Sequence, residues 1–122
     1  MLFRSIIASV VPSLDSYLAG MAQCYFRIEP MFVTPQTDIG MAIRYDDPNQ
    51  VGADRLANAV AAFHKYGGPC VVVDLGTTIN FDVISGNAEY LGGAIAIGIG
   101  ISIEALFSKT ARLPMEIGRA HV

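Results

Sequence analysis

The residues best suited to chemistry lie in the stretch 71–82, where a carboxylate, a glycine and two hydroxyl side chains follow an apolar run. Gly76 lets backbone N–H groups approach a ligand at a point where a Cβ atom would block them. Asp74 could hold a cation, and Thr77 and Thr78 could hydrogen-bond phosphate oxygens. The pattern predicts a phosphate-binding turn between two strands. An ordinary β-hairpin with a Gly-Thr turn and a surface aspartate would show the same local sequence.

A second candidate site is the pair Asp54 and Arg55, which falls in the first turn of a predicted helix over residues 51–64. The alanines of this segment favour a helix, and its apolar residues recur on one face. The helix enters through Gly52 and stops at the glycines that precede Pro69. An aspartate in a first turn gains from the helix dipole and stays ionised. The alternative is a helix-stabilising charge with a solvated neighbour.

The elements that position these residues follow the order strand, strand, strand, helix. The first strand ends at Asp74, a return strand follows the turn, and a third strand over 90–95 begins or bends at glycines. A helix is predicted over 102–109. This order, with a phosphate turn between the first two strands, is how a ribonuclease-H-like lobe begins. The sequence therefore indicates an α/β fold.

The N-terminal third is predicted to contain a buried strand over 5–12 and a helix from Ser13, acting as its cap, to about Tyr25. Apolar residues at helical spacing form a stripe that we expect to face the core: Leu14, Tyr17, Leu18, Met21 and Tyr25. A further strand over 26–33 is predicted to be broken by Pro30.

The composition limits the classes of protein that the chain can belong to. Of its 122 residues, 52% are hydrophobic and only 16% are charged, with a net charge of −3, whereas charged residues usually make up about 25%. This charge excludes a basic surface for nucleic acid, and no uninterrupted apolar run is long enough to predict a membrane-spanning helix. Cys24 and Cys70 lack metal-binding spacing and are expected to be buried, reduced thiols of a cytoplasmic protein.

Four motifs, in order and at matching spacing, resemble those of type III pantothenate kinases. This family is a branch of the superfamily of acetate and sugar kinases, heat-shock cognate proteins and actin. The resemblance covers about 5–115. The motifs are Ser9-Val10-Val11-Pro12, Tyr45 followed by Gly52-Ala53-Asp54-Arg55, Asp74-Leu75-Gly76-Thr77, and Tyr90-Leu91-Gly92-Gly93-Ala94-Ile95.

The resemblance implies an enzyme that transfers the γ-phosphoryl group of ATP to the primary hydroxyl of pantothenate, the first step of coenzyme A synthesis. It implies ATP bound with Mg²⁺, a monovalent cation (K⁺ or NH₄⁺) and a homodimer. Asp54 matches the general base, and Asp74 matches the ligand of the monovalent cation. The pantothenate-binding positions correspond to Tyr45, Gly52, Ala53, Asp54 and Arg55. The ATP-binding positions correspond to Gly76, Thr77 and Thr78.

The resemblance also implies how the chain divides within a two-lobe, actin-like fold. Residues 1–68 correspond to the C-terminal part of the first lobe and residues 69–116 to the N-terminal part of the second. The family's first phosphate loop, D-x-G-N-T, and its C-terminal half lie outside the sequence, so we interpret the chain as an interior part of a kinase. This interpretation also explains the high apolar content, because some faces would meet the remaining chain.

Three segments differ from the family pattern. Residues 78–80 replace the usual A-T-T, and Ile97 replaces a proline; both lie near the nucleotide side. Residues 117–122 match the translation of a common sequencing-adapter sequence, and we interpret them as a non-native tail, which independent amplification of the genomic DNA would check. The functional alternative to a kinase is a non-catalytic binding or regulatory protein, resembling an accessory transcription factor, on the same fold.

Overall fold

The computed structural model describes residues 4–110. Its main sheet has four strands in the order β3-β6-β5-β4, and a separate parallel pair joins β1 to β2. The strands are β1 (Ile6–Ile7), β2 (Met31–Phe32), β3 (Ala42–Ile43), β4 (Cys70–Leu75), β5 (Thr78–Ile84) and β6 (Glu89–Ile97). The helices are α1 (Pro12–Met21), α2 (Ala53–Tyr66) and α3 (Ile99–Lys109), with a π-helical turn at Ala22–Phe26 and a 3₁₀ turn at Pro48–Gln50. Within this range no helix has the length and apolar content needed to cross a membrane.

The β4–β5 hairpin and its continuation into β6 confirm the predicted order of three strands and a helix. Both pairs of neighbouring strands are antiparallel, and β3 joins β6 in parallel at the opposite edge of the sheet from β4. The third strand is longer than the predicted 90–95, and a register shift between Val83 and Ile84 marks a β-bulge. The following helix begins at Ile99, three residues before the predicted start.

Helix α2 packs on the inner face of this sheet and forms the core with it. Its apolar face buries Ala53, Leu56 and Ala59. The helix starts after the extended Gly52 and ends at Gly67, whose φ of 77° suits glycine. Observed and predicted bounds differ by two residues at each end. The core around the helix consists of Val33, Met41, Val51, Ala53, Leu56, Ala59, Ile84 and Tyr90.

The strand register decides which residues of the hairpin share a face. Directly opposed residues of antiparallel strands point to the same side, so Val72, Asp82 and Gly93 lie on the inner face. The alternate residues of β4 point outward, and they are 50–67% exposed: Val71, Val73 and Leu75. Among the described residues β4 has a neighbouring strand on one side only, so it is an edge of the sheet.

The N-terminal third differs from its prediction. The strand predicted over 5–12 is reduced to Ile6–Ile7, because α1 already begins at Pro12. Ser13 is not the cap of this helix: Val11 occupies that position without a side-chain hydrogen bond, and the proline places Ser13 inside the first turn. The strand predicted over 26–33 is only Met31–Phe32, since the π-helical turn runs through Phe26 and Arg27 follows with a φ of 54°.

The apolar stripe of α1 does not face a core, which contradicts its prediction. None of the helix's ten residues is buried in the described part of the chain, and Tyr17 and Tyr25 are 75% and 77% exposed. A helical stripe shows which side of a helix favours burial, but burial also needs an opposing surface. Among residues 4–110, Leu18 is half-buried and Ala22 just beyond the helix is buried, but no surface covers the rest of the stripe.

The two cysteines differ in burial. Cys24 in the π-helical turn after α1 is exposed, so the prediction of a buried thiol is wrong there, whereas Cys70 is partly buried.

Replacing Leu56 by alanine tests the position of the core. Leu56 is fully buried, so Leu56→Ala is expected to lower the free energy of unfolding by about 2–5 kcal/mol. Leu14 is 49% exposed, and Leu14→Ala is the matched control with an expected loss below about 1 kcal/mol. Urea unfolding of the 122-residue chain measures both values. Equal losses would contradict the described core.

Candidate active site

The start of α2 brings two of the four motifs into contact. A Cβ atom added to Gly52 would lie 3.4 Å from Cγ1 of Val10 and 2.6 Å from Oδ1 of Asp54. Ser9-Val10-Val11-Pro12 therefore lies beside Gly52-Ala53-Asp54-Arg55. Residues of both motifs line a cavity of about 300 Å³. A side chain at position 52 would compete with the Asp54 carboxylate for space.

Asp54 is the second residue of α2 and is partly buried. Its Oδ1 accepts a hydrogen bond of 2.8 Å from the backbone N–H of Arg55. This N–H belongs to the first turn, where backbone donors lack a partner within the helix. Within residues 4–110, Oδ2 accepts no hydrogen bond. One oxygen is thus held in place and the other remains available to accept a proton.

Arg55 connects α2 to the sheet through Asp82. Its Nε lies 2.8 Å and its Nη2 lies 2.6 Å from Oδ1 of Asp82. The hydroxyl of Tyr90 donates a hydrogen bond of 2.6 Å to the same oxygen. The side chains of Arg55 and Asp82 are 12% and 1% exposed. Asp82 is therefore a buried carboxylate whose Oδ1 accepts two hydrogen bonds and contacts Nη2 of Arg55, while its Oδ2 has no hydrogen-bond partner among residues 4–110.

The protonation of this cluster follows from its contacts. Burial raises the pKa of Tyr90, and the hydrogen bond to Asp82 raises it further, so the phenol keeps the proton that it donates. For Arg55, burial favours a lower pKa, but the hydrogen bond to Asp82 and the nearby Tyr90 outweigh it and raise the pKa above its ordinary value. Arg55 therefore stays positively charged.

Two consecutive glycines of β6 make room for the predicted substrate-binding side chains. A Cβ atom on Gly92, whose φ is 116°, would lie 3.0 Å from the ring of Tyr45. A Cβ atom on Gly93 would lie 2.9 Å from Nη2 of Arg55 and would overlap the carbonyl oxygen of Phe81. The Gly-Gly pair thus lets Tyr45 and Arg55 approach the strand backbone.

The predicted phosphate turn lies at the far end of the hairpin, where α3 begins. Within the turn, the N–H of Gly76 donates to the carbonyl of Thr78 at 2.9 Å. The N–H of Gly98, the residue before α3, donates to the carbonyl of Thr77 at 3.0 Å. A side chain at Gly98 would overlap the turn backbone. Because a helix N-terminus attracts anions, its contact with this turn is suited to phosphate.

Asp74 lies on the inner face of β4, directly opposite Asn80 of β5. Oγ1 of Thr78 donates to Oδ1 of Asn80 at 3.2 Å, and Asp74 lines a cavity of about 350 Å³ together with residues of α2. In residues 4–110 no group of three or more His, Cys, Asp and Glu side chains could hold a metal ion. Asp74 would therefore need oxygen ligands of other types to complete a cation site.

The structure thus divides the predicted site residues into two groups. Tyr45 and Arg55 lie beside the two β6 glycines, and Gly52 and Asp54 lie beside each other at the start of α2, whereas Gly76, Thr77 and Thr78 form the turn that contacts Gly98. Strand β5 links the two groups, because it begins at Thr78 of the turn and carries Asp82, the partner of Arg55. These two residues are four positions apart, which corresponds to roughly 13 Å along a strand. Donor and acceptor subsites at the two ends of such a strand would suit a group-transfer enzyme.

Comparison with known proteins decides the family. The family model described as "Type III pantothenate kinase" matches residues 2–121. The chain belongs to the type III pantothenate kinase family. A curated relative of that name from Solibacter usitatus is 73% identical over 109 residues, which is 89% of this chain and 42% of the relative. The relative from Koribacter versatilis is 59% identical over 89% of this chain and 40% of its own length.

The chain therefore spans about two fifths of the length of these type III pantothenate kinases. Among solved structures, a Campylobacter jejuni protein assigned to the Baf family of transcriptional activators has a TM-score of 0.61 at 22% identity. The match covers 93% of this chain and 49% of that one. At this identity the likeness shows the fold alone. The resemblance to the kinase family seen in the motifs is confirmed, together with a mixed α/β fold.

Sequence reasoning missed Asp82 and the role of Tyr90. Both contact Arg55 or its partner through hydrogen bonds that no local pattern encodes. A signal was present in the sequence: Asn80, Asp82 and Ile84 occupy every second position of β5, and all three face inward. A carboxylate at a buried strand position needs a partner, and Arg55, predicted only to bind substrate, was a cation for which the sequence offered no protein partner.

Replacing Gly93 by alanine tests the close packing around this residue of β6. The added Cβ would overlap the Phe81 carbonyl, so Gly93→Ala is expected to lower the free energy of unfolding by about 3 kcal/mol or more. Gly20 in α1 has nothing within 4 Å of an added Cβ, and Gly20→Ala should be neutral or stabilising by about 0.5–1 kcal/mol. Urea unfolding of both variants measures the difference. A Gly93→Ala chain as stable as the Gly20→Ala control would contradict the described packing.

Proposed function

We propose that the complete gene product carrying this chain phosphorylates the primary hydroxyl of pantothenate with ATP, giving 4′-phosphopantothenate. The observation that carries the proposal is the Asp54 carboxylate, held through Oδ1 at the start of α2 with Oδ2 available, beside the buried cation Arg55. Family membership and the names of the relatives support it. They also favour the kinase over the alternative of a non-catalytic binding protein.

In the proposed reaction Asp54 accepts the proton of the attacking hydroxyl. The hydroxyl oxygen forms a bond to the γ-phosphorus as the bond from that phosphorus to the β–γ bridging oxygen breaks, and ADP leaves. Such a transfer depends mainly on in-line positioning and on neutralising phosphate charge. Tyr45, Gly52, Ala53 and Arg55 would position pantothenate around Asp54. Gly52 would leave space for the carboxylate.

The nucleotide would bind at the turn formed by Gly76, Thr77 and Thr78. The support is the hydrogen-bonded contact between this turn and the start of α3, where the helix dipole favours phosphate. Mg²⁺ would arrive with the ATP phosphates, since this ion binds mainly through phosphates, water and few protein ligands.

Asp74 would hold the monovalent cation. Its carboxylate is partly buried and opposite the amide of Asn80, so oxygen donors from two strands lie on one face. A bound cation would offset the charge of the phosphates. Thr78, which hydrogen-bonds Asn80, links this position to the nucleotide turn.

The proposal also covers the organisation of the complete protein: a cytoplasmic homodimer with two ribonuclease-H-like lobes, of which 1–68 and 69–116 are parts. The boundary between the two lobes would fall between the end of α2 and the start of β4. Core residues on α2 and on the sheet pack together across this point. The lobes would therefore share buried surface next to the active site. The tail at 117–122 lies outside the described residues.

Replacing Asp54 by asparagine tests the general base. Asparagine keeps the shape but cannot accept a proton, so kcat for pantothenate phosphorylation should fall by about 10²- to 10⁴-fold, with KM changed much less. Asp38→Asn is the control, because Asp38 caps an exposed turn at Gly40 and asparagine can also accept that bond. ADP release by the complete gene product measures both. Full activity of Asp54→Asn would refute the assignment.

Exchange of the cation tests Asp74. The wild-type rate should depend on K⁺ or NH₄⁺, and Asp74→Asn should raise the cation concentration for half-maximal rate by about tenfold or more, because one charged ligand is lost. Initial rates are measured across a KCl series at constant ionic strength, with choline chloride as the balancing salt. An Asp74→Asn enzyme with the wild-type potassium curve would show that the cation binds elsewhere.

A further inference from the structure

We propose that Asp82 is a positioning residue for the proposed kinase reaction: together with Tyr90 it fixes the guanidinium of Arg55 so that the remaining donors of Arg55 face pantothenate. The inference rests on the proposed function. It assigns a role to two residues of β5 and β6 that belong to neither the pantothenate-binding segment nor the phosphate turn.

Two of the three guanidinium nitrogens of Arg55 contact Asp82. Arg55 uses Nε and Nη2 on a single oxygen of Asp82. Within residues 4–110, Nη1 donates to no protein group. A guanidinium is a rigid, planar fork, so fixing two of its nitrogens fixes the direction of the third. Nη1 is therefore a preset donor on the residue next to Asp54.

Two residues of β6 restrict the surroundings of the Arg55–Asp82 pair. Tyr90 is fully buried and donates to Oδ1 of Asp82, which limits the orientations that this carboxylate can take. On the neighbouring strand, Gly93 is paired with Asp82 and leaves the space that Nη2 of Arg55 occupies. The guanidinium thus lies against this strand pair, in contact with a hydrogen-bonded carboxylate and next to a residue that has no Cβ to displace it.

The energy and the charge of the buried pair also favour a positioning role. A buried ion pair contributes little net stability, since desolvation of both charges offsets their attraction. Stability of the fold alone therefore does not account for Asp82. Because Asp82 offsets the positive charge of Arg55, Arg55 acts here as an oriented hydrogen-bond donor more than as a free charge. Such a donor recognises an oxygen of the substrate by position.

The test uses steady-state kinetics of the complete gene product, with pantothenate and ATP varied separately. Asp82→Asn keeps the side-chain shape but weakens the hold on Arg55, so KM for pantothenate should rise about 10- to 100-fold, with KM for ATP within about twofold. Arg55→Ala should raise KM for pantothenate at least as much. Asp82→Asn should then add little in the Arg55→Ala background, because its effect passes through Arg55.

A second ion pair of the same chain provides the control. Arg44, which follows β3, and Glu89 of β6 have Nε and Oε1 2.9 Å apart, but their side chains are 64% and 26% exposed. Glu89→Gln removes an arginine–carboxylate pair that belongs neither to the pantothenate-binding positions nor to the contacts of Asp82, and it should leave both KM values unchanged. Thermal unfolding of every variant separates loss of fold from loss of binding.

The outcomes distinguish the two proposals. If the wild-type protein does not phosphorylate pantothenate, the proposed function fails. If it does, and folded Asp82→Asn keeps the wild-type KM for pantothenate or weakens ATP binding equally, the positioning role is overturned. If Asp82→Asn does not fold, Tyr90→Phe decides, because it keeps the buried ring and removes one donor from Oδ1. An increase in KM for pantothenate of about threefold or more supports the role, and an unchanged value overturns it.

Discussion

The site depends on one buried oxygen, Oδ1 of Asp82, on which hydrogen bonds from Arg55 and Tyr90 converge. These three residues belong to β5, α2 and β6, so the oxygen fixes the start of the helix relative to two strands. A buried carboxylate is costly unless it is paired, and for this reason the helix and the strands can pack in few other arrangements. Asp54, one residue before Arg55, takes its position from the same contact.

The parts of the fold that the sequence predicts are those governed by neighbouring residues. Helix α2 is marked by its alanines, its apolar face and the glycines at both ends, and each observed end lies two residues from the predicted one. The hairpin is marked by two segments rich in β-branched and apolar residues on either side of a Gly-Thr turn, and the turn determines the register of the two strands. In both cases local chemistry is enough, because the defining hydrogen bonds lie within one element or between adjacent ones.

The features that the sequence does not predict depend on distant partners. The stripe on α1 has the spacing of a core helix, but the described residues provide no surface to bury it. Asp82 pairs with a residue 27 positions away, which periodicity cannot reveal. The site motifs are predictable in part from the sequence, because their order and spacing indicate the family. Only the structure explains why Gly92 and Gly93 accompany Tyr45 and Arg55.

The edge position of β4 has a consequence for handling the isolated chain. Its outward side chains are half to two-thirds exposed, and among the described residues its free backbone edge has no neighbouring strand. An edge of this kind, with the β-branched sequence Val71-Val72-Val73, is a template for adding strands from other molecules. Association of the 122-residue chain should therefore increase with concentration, and a charged residue at position 73 would be the simplest way to keep it monomeric.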